Sequence, residues 1–418
     1  MSYSIANLRG LEILDSRGRP TVLAFCELAS GARGRASVPS GASRGAAEAL
    51  ELRDGDMARF RGLGCLQAAG NISGEIQAAA RGRTFAGQAE LDAWLAALDG
   101  TPNKARLGAN ATLAVSLAFA RACAAERGQP LFAYAAGLDG GAAPRLPRPM
   151  INLFSGGKHA GGQVPIQDLL IMPMAGSMAE IMRAAAEVFQ CAAEIARERY
   201  AMRLLTADEG GLAPPFPAIE AMFEDALAAI ARAGLRPGRD IALAIDVAAS
   251  HFYEGGRYML GGCALDAAAM IAQIARWAAD YGLASVEDGL AEDDWASWPT
   301  LLGQLGASAQ IVGDDLLCTN PARIERAVQA GAANTLLLKV NQIGTLSEAR
   351  EAKRLARAAG WRVIVSARSG ETEDDWLADL AAGWRGDQIK VGSVTQSERL
   401  AKYNRLLELE AEYGLRLS

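Results

Sequence analysis

A chain of 418 residues, half of them hydrophobic, exceeds the size at which a single core stops growing, so two domains are expected. The formal charge of −6 is mild and Lys and Arg form no run, which argues against a nucleic-acid surface; an anionic substrate would need a few local cations or metal ions. The six cysteines stand singly, without C-x-x-C or metal-ligand spacing, and are expected to be buried reduced thiols. The opening MSYSIANLRG has no basic segment followed by a long apolar run, and the longest uncharged apolar stretch, 111–120, is too short to span a bilayer, so a soluble, cytoplasmic protein without a membrane partner is expected.

In chain order, the apolar-rich runs 4–14 and 21–28 bracket the turn-like DSRGRP and predict a hairpin. Residues 37–45, SVPSGASRG, read as a Gly/Ser loop, and helical patterns follow at 65–80, 88–98 and 111–127. The run GLDGGAAPRLPRP is dense in Gly and Pro and marks the expected boundary, with an α+β capping domain over 1–142 and a catalytic domain over 143–418. Beyond it, short β-rich runs alternate with helical stretches: IALAID, LASVED, QIVGDD, TLLLK, WRVIVSAR and QIKVG. That alternation predicts an α/β fold, a (β/α)8-type barrel, over a doubly wound sheet, because no G-x-G-x-x-G follows a strand.

Polar residues gather at the ends of these runs. Asp246, Glu287, Asp314, Lys339, Arg368 and Lys390 close successive strands 22 to 41 residues apart, and in a barrel such ends converge on one face. Three carboxylates there would repel unless a hard cation neutralised them, and all-oxygen ligation suits Mg²⁺. Beside Mg²⁺ and a second cation, a buried ammonium at Lys339 or Lys390 is expected to have lowered proton affinity and so to be able to serve as a general base. Glu209, in the rigid loop ADEGGLAPP, is expected to stay protonated as a general acid. Arg368 and Ser369 at a barrel mouth suit a phosphoryl group. Of the two histidines, His251 sits in a probable strand pair, and neither has a Ser or Cys nucleophile at an elbow.

At these residues the chain resembles the enolase (phosphopyruvate hydratase) family. The blocks are EILDSRGRPTV, VPSGASRGAAEALELRDGD, LPRPMINLFSGGKHAGG, ADEGGLAPP, VEDGLAEDDW, IVGDDLLCTN, LLLKVNQIGTLSEA, RSGETEDDWLADL and SERLAKYNRLL, which run nearly end to end. The resemblance implies an enolase-variant barrel under an N-terminal cap with a substrate lid, a homodimer or larger homo-oligomer, two Mg²⁺ ions and a small anionic phosphorylated substrate. It makes Asp246, Glu287 and Asp314 ligands of the first Mg²⁺, Lys339 the base at C2 and Glu209 the acid at the C3 hydroxyl. Lys390 would contact the substrate carboxylate, Arg368 and Ser369 the phosphate. Ser40 would complete the second metal site when the lid closes, and His159 would sit on a mobile loop over the substrate.

Four positions depart from the family pattern. Asp168 stands where the family has a longer catalytic-site glutamate after Gln167, Ala367 where it has an active-site histidine, His251 where it has glutamate, and Gln396 where it has arginine. Loss of a histidine near the phosphate removes a donor and opens volume. This favours a specialised paralogue, such as one forming carboxyphosphonoenolpyruvate, over a housekeeping enolase. Retention of the acids, both lysines and Glu209 argues against a non-catalytic scaffold.

Overall fold

The computed structural model describes residues 2–42 and 45–417. β1 (Tyr3–Leu14) and β2 (Pro20–Leu28) form the predicted hairpin, and β3 (Arg33–Ser37) and β4 (Thr84–Phe85) complete an antiparallel sheet in the order β3-β2-β1-β4. The sequence reading missed β3. Its text, RGRAS, lacks apolar alternation because it is a charged edge strand. Helices at 66–80, Gln88–Asp99 and Ala109–Glu126 lie within two residues of the predicted spans, the first passing through a π turn at Ile72–Ile76. A further helix, Leu131–Leu138, was not foreseen. Ala109–Glu126 is buried along nearly its whole length, between the cap sheet and the barrel loops, which is why its text is apolar on every face.

The barrel strands are β5 (Arg148–Ser155), β6 (Asp168–Pro173) and β7 (Ile241–Asp246), and then, after a small sheet of β8 (Tyr253–Glu254), β9 (Arg257–Leu260) and β10 (Cys263–Leu265), β11 (Leu283–Glu287), β12 (Gln310–Gly313), β13 (Thr335–Leu338), β14 (Arg362–Ser366) and β15 (Gln388–Gly392). They close in the order β5-β6-β7-β11-β12-β13-β14-β15. The closed barrel bears out the expected fold class, with one strand reversed: β6 runs antiparallel to both β5 and β7. The reversal has a consequence for the site. Asp168 opens its strand, yet its register partners are Ser155 and Asp246, so it reaches the same mouth as the C-terminal ends of the parallel strands.

Strand periodicity then stacks the interior in layers. Met150, Leu170, Met172, Ala244, Val312, Leu337 and Ile364 fill an apolar floor. Two residues further toward the mouth, the same inward faces carry Asn152, Asp168, Asp246, Asp314, Lys339 and Ser366. The expectation that every charged residue closes its strand holds for Asp246 and Glu287 and needs correction elsewhere. Asp314 and Lys339 come one residue after β12 and β13, Lys390 lies inside β15, and Arg368 two residues beyond β14.

The cap docks on the loop after β14. Ser40 and Gly370 exchange backbone hydrogen bonds of 2.8 and 2.9 Å, Ser16 N donates to Glu371 O (2.7 Å), and the Trp376 indole donates to Ser37 O (2.9 Å). Of the cysteines, Cys263 is exposed on β10, contrary to expectation. No helix among the described residues is long and apolar enough to cross a membrane.

A Cβ on Gly370 would lie 2.3 Å from Asp15 Oδ2 and 2.8 Å from the Ser40 carbonyl, a backbone atom that cannot step aside. Gly370→Ala should therefore destabilise the protein by about 1–3 kcal/mol, measured by urea denaturation, with faster proteolysis of the cap; unchanged stability would show that the docking is slack.

Candidate active site

One ammonium sits at the centre of the mouth. Lys390 Nζ donates to Asp246 Oδ2 (2.8 Å) and to both Glu287 oxygens (2.7 Å each), with all three residues buried. A single cation cannot neutralise two adjacent carboxylates equally. Burial pushes Asp246 up, but Lys390, helped by Lys339 and His159, outweighs it and holds the carboxyl down to about 2. Burial and the neighbouring Asp246 charge instead push Glu287 well above the carboxylate range.

Lys339 pairs with Asp314, whose other oxygen accepts from Gln342 Nε2 (2.9 Å). Among the protein's own groups alone, the balance at both lysines runs toward the protonated form. Burial disfavours both ammonium ions, but Asp314 holds Lys339 above the ordinary value, and Asp246 with Glu287 holds Lys390 well above it.

Across the cavity His159 lies between two acids. Its Nδ1 is 2.9 Å from Asp168 Oδ2 and its Nε2 is 3.7 Å from Glu209 Oε1. Asp168 also accepts from Ser155 Oγ (2.7 Å), and Glu209 from Asn152 Nδ2 (3.0 Å). Burial would lower the imidazole, but the two carboxylates raise it to about 9. Burial lifts Asp168 above its ordinary value despite His159. Glu209 is also pushed up by burial, yet His159, Arg399 and the two lysines together hold it low. The sequence reading expected Glu209 to keep its proton; in the structure the surrounding cations, His159 first among them, pull its carboxyl the other way.

The third group is the anion end. Arg368 Nη1 and Nη2 donate to the two Glu48 oxygens (2.9 and 3.1 Å), and Nη1 also donates to Asn341 Oδ1 (3.0 Å). Ser369 Oγ accepts from Ala42 N (2.9 Å) and Arg17 Nη1 (3.1 Å). These groups meet at a small cavity of about 30 Å³. His159, Glu209, Asp246, Asp314, Lys339, Arg368, Ser369 and Lys390 line it, and Ala367 is among the lining residues.

Three predicted residues stand off the cavity. Asp168 lies behind His159 and Glu287 behind Lys390. Ser40 is further removed. Its hydroxyl donates to Glu51 Oε2 (3.1 Å) and accepts from Arg53 Nη2 (2.6 Å), so the structure does not bring it to the acids. Ser43 and Arg44 of the same loop lie outside the described residues. His251 sits in the short turn Ala249–Phe252 after β7, where burial pushes its imidazole down to about 4 and keeps it neutral. The strand pair expected there is β8 with β9.

Among the described residues, the acidic groups close enough to share an ion are His159, Asp168 and Glu209, and Asp288, Asp314 and Asp315. The expected trio Asp246, Glu287 and Asp314 occupies adjacent strands, but Lys390 lies against the first two and Lys339 against the third. The chemistry still suits a hard divalent ion. In the Asp288, Asp314 and Asp315 group and in the expected trio the donors are all oxygens, and burial with mutual repulsion pushes Glu287 and Asp288 well up and Asp315 up to about 7. Gln167, which donates to Asp246 Oδ2 (3.1 Å), leaves its buried Oε1 without a partner. Sequence reasoning missed Asp288, Asp315, Asn152 and Glu48. The doublets in VED and GDD were the available signal for the first two, and a buried Asn in the apolar text of β5 for the third.

Fold and site together define the class: a capped barrel with acids and lysines gathered at one mouth. Residues 5–135 match the family model for the enolase N-terminal domain, and residues 143–417 match that for the enolase C-terminal TIM barrel domain. The chain belongs to the enolase family. Its coarse chemistry is that of an enolase-type lyase, and the family's metal, Mg²⁺, is one that these acidic groups could hold.

His159 gains its carboxylate partners only on folding, so its raised value stabilises the fold fully below its unfolded pKa of about 6.5, and that contribution is lost as pH rises through about 9. The stability gap between the wild type and His159→Asn should therefore shrink between roughly pH 6 and pH 9.5, followed by urea denaturation; a gap independent of pH would mean that the imidazole is neutral throughout.

Proposed function

We propose that this protein is a Mg²⁺-dependent hydro-lyase that dehydrates a 2-phosphoglycerate-like acid to an enolpyruvyl product. Its own substrate carries a larger group on the phosphoryl side, as in carboxyphosphonoenolpyruvate formation in phosphonate pathways. The observation that carries the specialised reading is Ala367, which is among the residues lining the cavity, beside Ser366 and Arg368, where the family has a histidine.

In this reading Arg368 and Ser369 take the phosphoryl group, and Glu48 gives up part of its hold on Arg368 to admit it. Lys390 faces the substrate carboxylate. Lys339 takes the C2 proton, and the His159–Glu209 pair, backed by Asp168, delivers a proton to the departing C3 hydroxyl. Asp246, Glu287 and Asp314 would hold magnesium, which when bound would supply positive charge for the developing anion and offset the charge by which Asp314 holds Lys339 protonated. A second ion completed by Ser40 requires that residue to leave Glu51 and Arg53. As the family suggests, we propose that the protein works as a homodimer or larger homo-oligomer.

A second reading is a housekeeping enolase converting 2-phosphoglycerate to phosphoenolpyruvate, supported by the acids, both lysines and Glu209 retained at the mouth. Turnover of 2-phosphoglycerate with excess Mg²⁺, followed by product ultraviolet absorbance, separates the two. Absent or very slow turnover supports the specialised reading, and turnover on the order of 10 per second supports the housekeeping one.

Two variants extend the test. Ala367→His should raise turnover of 2-phosphoglycerate at least about tenfold if the missing donor limits it; no gain would detach that position from substrate choice. Lys339→Ala should lower kcat on the best substrate by roughly a thousandfold or more with the fold intact by circular dichroism; substantial retained turnover would remove Lys339 as the base.

A further inference from the structure

We propose that Arg399 is a positioning residue that fixes the phosphoryl-binding segment relative to the Glu209 loop, so that binding at one is felt at the other. Arg399 lies in the first turn of the last helix (Ser397–Tyr413) and is completely buried. Its Nη1 donates to Arg368 O (2.6 Å) and Val391 O (3.1 Å), and its Nη2 to Ser369 O (2.5 Å) and Asp208 O (3.4 Å). One planar fork thus joins the two anion-end residues to the residue preceding Glu209.

The neighbouring chain reinforces that grip. Between residues 393 and 399, four successive carbonyls of the Glu209 loop each find a donor. Gln396 Nε2 reaches Ala207 O (3.2 Å), Arg399 reaches Asp208 O, Ser393 N reaches Glu209 O (2.8 Å) and Thr395 Oγ1 reaches Gly210 O (2.9 Å). Approach this close needs glycine at 392, where a Cβ would lie 2.7 Å from Glu209 O and 2.9 Å from Arg399 Cδ, and where φ is +117°.

The chemistry of the side chain explains the choice. A guanidinium offers five donors in a rigid plane and can hold carbonyls of separate loops at one spacing, whereas an ammonium is a point donor on a flexible stem. A shift of about 1 Å between acid and bound phosphoryl group can cost on the order of 100-fold in rate. The roles of Glu209 and Arg368 in this inference rest on the proposed function, but the mechanical link between the two loops does not.

The test is hydrogen exchange of the Mg²⁺-supplemented full chain, with saturating inorganic phosphate as the probe. In the wild type, phosphate should slow exchange of the amides in 366–372 and also in 206–213. In Arg399→Lys the first effect should remain and the second disappear. Turnover of the best substrate should fall roughly 10- to 100-fold well below the melting temperature. Transmission equal to wild type in that variant, or a wild-type response confined to 366–372, overturns the inference. Should Arg399→Lys fail to fold, Gln396→Ala removes one donor to the same loop. Faster exchange of 206–213 with 366–372 unchanged supports the link, and unchanged exchange in 206–213 overturns it. Because exchange is read without turnover, failure of the proposed function and failure of this link remain distinguishable.

Discussion

The ammonium of Lys390 against Asp246 and Glu287 is the contact on which the barrel mouth depends. Each buried ion costs several kcal/mol of lost hydration, recovered only when its partners are close and its remaining valences are met. The mouth satisfies that condition by alternation. Lys390 is shared by two acids, Lys339 and Gln342 flank Asp314, His159 is bracketed by Asp168 and Glu209, and Arg368 is gripped by Glu48. A well-packed apolar layer in the same place would serve stability as well or better. The charges are therefore understood through chemistry: groups whose partners can be exchanged for a metal ion, a carboxylate and a phosphoryl group.

Two architectural features hold this network in place. The apolar floor of the barrel fixes which face of each strand points inward, and the next inward position on the same face is where the polar side chains fall. The reversed strand β6 lets a residue at a strand start, Asp168, join residues at strand ends. The cap then closes the anion side through the Ser40–Gly370 bridge and the Arg17–Ser369 contact. The Glu209 loop has no strand to carry it. It is held by the segment leading into the last helix, which gives that helix start a role in the geometry of the site as well as in packing.

Much of this was legible in the chain. IALAID, QIVGDD and TLLLK are apolar runs with a charge two residues beyond an inward apolar position, and period-2 geometry is a local property that text reveals. β5 and β6 escape that reading, because no α-helix separates PMINLF from DLLIMP and the pair breaks the strand–helix alternation. The protonation states were not legible either. Glu209 was expected to have a raised proton affinity, yet the cations around it shift it the other way. The direction depends on which charge lies nearest, a matter of a few ångströms that spacing in the chain cannot convey.

Sequence alone therefore determined the class of fold, the family and the residue types at the mouth, since these follow from local periodicity and from motifs spread along the whole chain. Tertiary structure alone decided the pairings. It placed Glu48 on Arg368, His159 between two acids, Ser40 on Glu51 and Arg399 across two loops. The reason is physical: pairing energies in a buried site fall off over distances of a few ångströms and depend on direction, whereas the residues involved are separated by up to hundreds of positions along the chain.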